Sequence, residues 1–574
     1  VETLQNALDR IGGIVWGPFL LIPLLVGTGL FLTIRLGGLQ FLKLIPALRL
    51  GILKRRDPGS EGDISQFQAL TTALAATVGT GNIVGVATAI AIGGPGALFW
   101  MWVTGLVGMA SKYSEAFLAV RFRTTDEAGE KSGGPQYYLQ RAIGGSFGKV
   151  LALSFAIFAA IACFGIGNMT QGNSIASNVE NSWGVPTWIT GVVLTVLALM
   201  VLVGGIKSIG RVTAGLVPIM IVFYVTAGLY ILLVNITDVP GAFGQVFSQA
   251  FTGTSATGGF IGSTIMIAIQ YGVARGLFSN ESGLGSAAIA AAAAQTSHPV
   301  RQGLVSMTQT FIDTIIVVSF TGLVIITAGT WDDVDPETGD QISAALMTGE
   351  AFKTGLPGEW GHWVVTLALI MFAFSTILGW SYYGERNIER LFGVRAVMPF
   401  RVIFCLIVFV GCTTELSLVW SFSDVMNGLM ALPNLIGLLV LSGLIARETR
   451  YYLKHDPNLE ADHATIERFM QGQPAWDEWK AGDVVGSSRR LRGYAGTTAH
   501  EWPAGHRGRR ALPRPSRPGP GQSARANARV SPRAPPIQTS WQAAASSGSP
   551  SVIVAKTLPG TQPTSPLMSR LFRP

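Results

Sequence analysis

Two short runs combine glycine with hydroxyl and amide side chains inside otherwise apolar stretches. The first is Val78-Gly79-Thr80-Gly81-Asn82, in the middle of LTTALAATVGTGNIVGVATAIAI (70–92). The second is Gly276-Leu277-Phe278-Ser279-Asn280-Glu281-Ser282-Gly283, in the middle of 261–294. Such residues are poor helix formers, so each run predicts a helix broken at mid-length. A half-helix that starts after a break offers free N–H groups and the positive end of its dipole, which suit a carboxylate. One that stops before a break offers free carbonyl oxygens, which suit Na⁺ or an ammonium group. A zwitterion and a cation could be held together this way. Ser375 and Thr376 add adjacent hydroxyls in another apolar stretch. They could complete an oxygen cage with carbonyls near Thr77 and Val78, or they could bond back to their own helix.

The elements that must position these residues are membrane spans. Of 574 residues, 49% are hydrophobic and only 13% charged, far from the quarter charged of soluble chains. That composition indicates an all-α integral membrane protein. It excludes a chain disordered over most of its length and, with only Cys163, Cys405 and Cys412 in apolar runs, a disulfide scaffold. Eleven segments are apolar enough to cross: 14–36, 67–92, 96–120, 149–178, 187–205, 212–234, 259–293, 302–328, 361–384, 398–412 and 424–446. The loops 35–66, 121–149, 205–211, 294–301 and 384–401 carry 18 Lys plus Arg, whereas the other side carries only Arg10 and Lys353. By the positive-inside rule the N-terminus lies outside and the C-terminus in the cytoplasm. In loop 121–149, SGGPQYYLQRAIGG (132–145) reads as an amphipathic helix on the inner surface, with Tyr137 and Tyr138 at the interface.

The breaks fall in the second and seventh spans. With the first helix set aside, each opens a five-helix half, and breaks at matching places in two halves mark a transporter's midplane site. The expected organisation is an extra N-terminal span and loop (1–66), two five-helix repeats (67–235 and 259–446), a cytoplasmic segment (447–480) and an Arg/Pro-rich tail (481–574). The tail holds thirteen Arg and one Lys against Asp483 and Glu501. The net charge of +8 for the chain therefore comes from the tail and argues for no nucleic-acid partner. Within the spans, Lys112 and Glu115 are spaced to pair, and Arg275 and Glu281 bracket the second break.

Other chemistries find little support. GGSFGK (144–149) is one residue short of a phosphate-binding loop and lacks the following Ser or Thr. Before residue 450 the histidines are His298 and His362, which make no metal cluster. There is no potassium-channel filter, and an enzyme would find almost no converging acid–base groups in the spans. No catalytic residue and no resident cofactor are expected.

GGPGALFWMW (93–102), GTGNIVGVATAI (79–90), GGPQYYL (133–139), RGLFSNESGLGSA (275–287) and YYGERNIERLFG (382–393) together resemble the sequence blocks of the alanine/glycine:cation symporters, also called sodium:alanine symporters. The resemblance runs from about 14 to 450. It implies a LeuT-type fold of two inverted five-helix repeats with one extra N-terminal helix. It implies Na⁺ as co-transported ion, with a site formed by carbonyls at Thr77 and Val78 and hydroxyls of Ser375 and Thr376. It places alanine or glycine on Thr80, Gly81, Asn82, Phe278, Ser279 and Asn280, with Gln171 and Trp380 as further contacts. The backbone at Gly79 and Gly81 would line the pocket, and Phe278 and Trp380 would cap it. The expected protein is a monomer in the plasma membrane, moving the amino acid inward. Proton coupling, another small amino acid, or a cation channel are the alternatives.

Overall fold

The computed structural model describes residues 2–17, 19–55, 57–252, 261–333, 344–358, 360–414 and 416–473. The expected tail 481–574 and most of the acidic loop 329–341 lie outside them. The described residues are overwhelmingly helical, and their one sheet is a two-stranded hairpin, Thr124–Thr125 with Lys131–Ser132. Among the described residues, six helices are long and apolar enough to cross a bilayer, and the pair Gln66–Thr77 and Thr80–Gly93, bent by 63°, makes a seventh. The other four expected segments coincide with Leu21–Arg35, Gly96–Arg121, Thr187–Leu202 and the pair Ile261–Asn280 and Ala287–Ala292. The protein is thus an all-α, multi-pass membrane protein.

The first broken helix is set locally. Ser65 and Gln68 form a capping box: the Ser65 hydroxyl accepts from the Gln68 N–H at 3.2 Å and the Gln68 side chain accepts from the Ser65 N–H at 3.0 Å. The helix stops where glycines begin. The second half ends at Gly93 and Gly94, and Pro95 precedes the next helix, Gly96–Arg121.

All five basic loops meet on one face. Ile64 pairs with Ala294 in a parallel bridge, and the Lys131 N–H donates to Asp63 at 2.6 Å. Arg386 joins loop 384–401 to Asp126 and Glu130 at 2.8 and 2.6 Å, and Arg401 donates to the Val203 carbonyl at 3.1 Å. An even number of crossings must therefore separate these loops, as the charge pattern predicts.

Several elements differ from expectation. Glu2–Val15 is a helix lying against Leu416–His455, tied by Gln5 to Ser421 at 2.6 Å and by the Trp16 indole to the Asp424 carbonyl at 2.8 Å. Loop 35–66 contains the short helices Leu39–Leu42 and Leu44–Leu48, which expose Phe41, Leu42 and Ile45 as an interfacial helix does. Their few residues are too short a run to read as helix from pattern. Tyr138 is not interfacial: it is fully buried, and its hydroxyl donates to Asn434. Tyr137 is half-buried.

Candidate functional site

The two breaks face each other through a buried acid. Asp313, in the π-helical stretch Phe311–Val318 of the eighth span, is fully buried. Its carboxylate accepts from the Asn82 amide at 2.8 Å, the Ser279 hydroxyl at 2.9 Å and the Thr314 hydroxyl at 2.8 Å. Asn82 belongs to the first break and Ser279 to the second, so one side chain ties both. Asn280 turns toward Thr314 at 3.1 Å, and its side-chain oxygen accepts from the Ser282 N–H at 2.9 Å. Asp313 was not among the residues expected at the site from the sequence. The available signal was a lone acid in an apolar span, FIDTIIVV, which membranes tolerate only with partners.

At the first break the backbone is held open by side chains. The Gly79 N–H donates to the Asn82 side-chain oxygen at 2.9 Å, and the Thr80 N–H donates to Gln171 at 3.2 Å. Gln171 is itself anchored by donating to the Ile166 carbonyl at 2.9 Å, across the π-helical Gly165–Met169. In an unbroken helix the Gly79 N–H would serve the Ala75 carbonyl. That oxygen instead accepts from Thr376 at 3.0 Å and Ser375 at 3.2 Å. Thr376 also stands 3.5 Å from the Val78 carbonyl. The structure therefore brings Val78, Ser375 and Thr376 together, with the Ala75 carbonyl beside them. The Thr77 hydroxyl bonds its own helix, at the Ala73 carbonyl, 3.0 Å away. Ser375 and Thr376 also bond back to the Phe372 carbonyl at 2.8 and 3.1 Å, so both roles considered for them coexist.

Close approach explains the glycines. A Cβ on Gly79 would lie 2.4 Å from the Thr376 hydroxyl, and one on Gly81 would lie 3.1 Å from the Phe278 ring. Phe278 stacks on Trp420 at 5.1 Å between ring centres, beside Arg275, which pairs with Asp424 at 3.5 Å. The Thr80 hydroxyl is fully buried and has no hydrogen-bond partner among the described residues. An orphaned buried hydroxyl costs roughly 1–3 kcal/mol, which a bound ligand would recover.

The charged side chains of the spans are distributed differently from expectation. Lys112 and Glu115 share a helix face but form no ion pair among the described residues. The Lys112 ammonium donates to the Glu281 carbonyl at 2.9 Å. Glu115 accepts from the Gly285 N–H at 3.1 Å and from Asn434 at 2.8 Å. Arg275 and Glu281 do not meet either. The Glu281 carboxylate accepts from the Trp380 indole at 2.7 Å and from Ser286 at 2.5 Å. Glu281 holds a left-handed backbone, φ 55°, which a non-glycine residue adopts only under such restraint. Trp380 is consequently buried, bonded to Glu281 and packed against Gly167.

A family model described as the sodium:alanine symporter family matches residues 1–465. The sodium/alanine symporter AgcS of Methanococcus maripaludis is 52% identical over 448 residues, which cover 78% of this chain and 97% of that one. An uncharacterized transporter of Haemophilus influenzae is 49% identical, over 79% of this chain and 97% of its own. The probable sodium/glutamine symporter GlnT of Bacillus subtilis is 34% identical, over 79% and 92%. Among solved structures, MhsT in complex with L-phenylalanine superposes with a TM-score of 0.47 at 14% identity, over 76% of this chain and 100% of that one. A manganese transporter of Eremococcus coleocola gives 0.44 at 16%, over 77% and 97%. The match across most of the chain, with the sequence blocks that surround both breaks, places it: the chain belongs to the sodium:alanine symporter family.

Proposed function

We propose that the protein is a secondary active transporter that couples the entry of Na⁺ to inward movement of alanine, with glycine as a second substrate. The observation that carries this is the pair of facing breaks joined through Asp313, beside carbonyls freed from helical bonding. Na⁺ is offered the carbonyl oxygens of Ala75 and Val78 and the hydroxyls of Ser375 and Thr376. The amino acid lies against the backbone of Gly79, Thr80 and Gly81, the Asn82 region, and Phe278, Ser279 and Asn280. In this reading the Thr80 hydroxyl gains its missing partner from the substrate, and Gln171 and Trp380 hold the two walls rather than touch the side chain. Alternating access would rock the two repeats, 67–235 and 259–446, around this midplane point. The basic face is cytoplasmic, the N-terminus is outside, and one copy suffices.

Uptake of labelled alanine into liposomes, with and without an inward Na⁺ gradient, tests the reading. Uptake that ignores Na⁺ but follows a proton gradient would overturn the coupling ion. Pocket size gives a sharper check. Phe278 stands so close to Gly81 that a Cβ there would lie 3.1 Å from its ring, which favours a small side chain. Glycine is expected to compete with alanine, and leucine and phenylalanine are not. Glutamine belongs in the same assay, because the named activity of one relative is sodium/glutamine symport. Strong competition by leucine or glutamine would mean that the wall at Phe278 is not the one the substrate meets.

Residues beyond 465 lie outside the family match. A chain ending at residue 480 is expected to reach the membrane and keep its full alanine uptake. Loss of uptake at equal membrane level would assign the tail a part in transport.

A further inference from the structure

On the basic face a cavity of about 320 Å³ is lined by Tyr137, Gln140, Arg141, Lys149 and Arg390. Three cations border it. Arg141 donates to the carbonyls of Phe122 and Arg123 at 3.1 and 3.2 Å. Arg390 donates to the Gln136 carbonyl at 3.5 Å and to the Gln140 side chain. Both guanidinium groups lie over the Tyr137 ring, 5.6 and 5.4 Å from its centre. Among the described residues no carboxylate is in ion-pair contact with Arg141, Lys149 or Arg390. This is unlike the neighbouring Arg386, which contacts Asp126, Glu130, Glu385 and Glu389. Two arginines kept close together without an acid repel each other, and a bound anion removes that cost.

The cavity also opens at the start of the helix Gly145–Phe164, whose first turn has no side-chain cap. Gly144 and Gly145 both have left-handed φ, 70° and 64°, which lets the chain turn sharply into the helix at the cavity wall. Its unbonded N–H groups and dipole favour an anion at this point.

What lies beside the cavity identifies the anion's source. From the same helix start, Phe147, Val150, Leu153, Ile157 and Ile161 are all exposed. Their spacing of three and four residues puts them on one face. An apolar stripe running from a cationic cavity into the bilayer matches a phospholipid, with the headgroup in the cavity and a chain along the stripe.

We propose that this cavity is a binding site for the phosphate headgroup of an anionic phospholipid in the leaflet on the basic side. The site would join the end of the helix Trp360–Phe392, which carries Ser375 and Thr376, to the segment 135–149.

Native mass spectrometry of the purified full chain in neutral detergent can test this. Phosphatidylglycerol, phosphatidylcholine and inorganic phosphate serve as separate probes. The wild-type chain is expected to retain one phosphatidylglycerol at least about tenfold more tightly than phosphatidylcholine, by the attraction of several adjacent cations. Lys149→Gln, at an exposed side chain, and the double variant Arg141→Gln/Arg390→Gln should each weaken that binding about fivefold or more per cation removed. Arg395→Gln, an exposed cation on the same face outside the cavity, should not change it. Equal retention of the two lipids, or unchanged phosphatidylglycerol binding in Lys149→Gln and the double variant, would overturn the site. Inorganic phosphate binding as tightly as phosphatidylglycerol would overturn the lipid as its occupant.

Discussion

Replacing Asp313 with alanine is expected to lower Na⁺-driven alanine uptake about 100-fold or more, equivalent to ~2.8 kcal/mol at 1.4 kcal/mol per decade. The carboxylate is the common acceptor for Asn82, Ser279 and Thr314. Its removal leaves three buried donors to find new partners in a site with little water, at roughly 1–3 kcal/mol for each that fails. It also unties the first break from the second, so the walls of the pocket lose their fixed separation. Asp313→Asn separates these effects. The amide keeps the volume and one acceptor oxygen, but its NH₂ group meets either the Asn82 donor or the two hydroxyls. Hydroxyls can reorient to accept, whereas the Asn82 amide NH₂ cannot, so the asparagine variant should fall between wild type and alanine. Uptake is to be normalised to protein in the membrane, and stability of the purified variants followed by thermal unfolding. Wild-type uptake in Asp313→Ala would remove this residue from the site.

Thr376→Ala is expected to weaken apparent Na⁺ affinity about tenfold, or ~1.4 kcal/mol. The hydroxyl bonds the Phe372 carbonyl of its own helix and the Ala75 carbonyl of the first broken helix. If only the first bond mattered, the change would be close to neutral, because the Phe372 carbonyl keeps its helical partner. If the hydroxyl is a Na⁺ ligand, the cage loses one of its oxygens. Linkage then requires alanine binding at fixed Na⁺ to weaken by the same factor, and raising Na⁺ to restore it. Isothermal titration with alanine at several Na⁺ concentrations reads both. A Na⁺ dependence identical to wild type would return Thr376 to a structural part and move the search for the cation to the oxygens around Asn82 and Asp313.

Composition and local pattern carried most of the architecture. A span is a property of about twenty consecutive apolar side chains, and sidedness is a property of loop charge, so both are written along the chain. The breaks were legible for the same reason, since glycine, asparagine and serine weaken a helix wherever they cluster. Asp313 was not, because a single acid in an apolar run says only that some partner exists. Its partners, Asn82 and Ser279, lie 231 and 34 residues away.

Charge pairing shows the limit most directly. Lys112 and Glu115 are three apart, which puts them on one helix face. A face is shared with whatever packs against it. Here the segment from Glu281 to Gly285 offers a carbonyl and an N–H, and Asn434 offers an amide, so each charge turned to a neighbouring element. The carbonyls released at the first break show the same limit. By itself the sequence determined that the helix must stop near Val78 and that backbone oxygens would be released there. Only the tertiary structure decided which ones. Asn82 folds back onto the Gly79 N–H, and Gln171 arrives from another span to take the Thr80 N–H. The first bond leaves the Ala75 carbonyl without its helical donor, where it accepts from Ser375 and Thr376, and the second takes the helical donor from the Ala76 carbonyl. Which carbonyl is freed depends on which N–H is captured, and capture by a distant side chain is a matter of packing, not of local sequence.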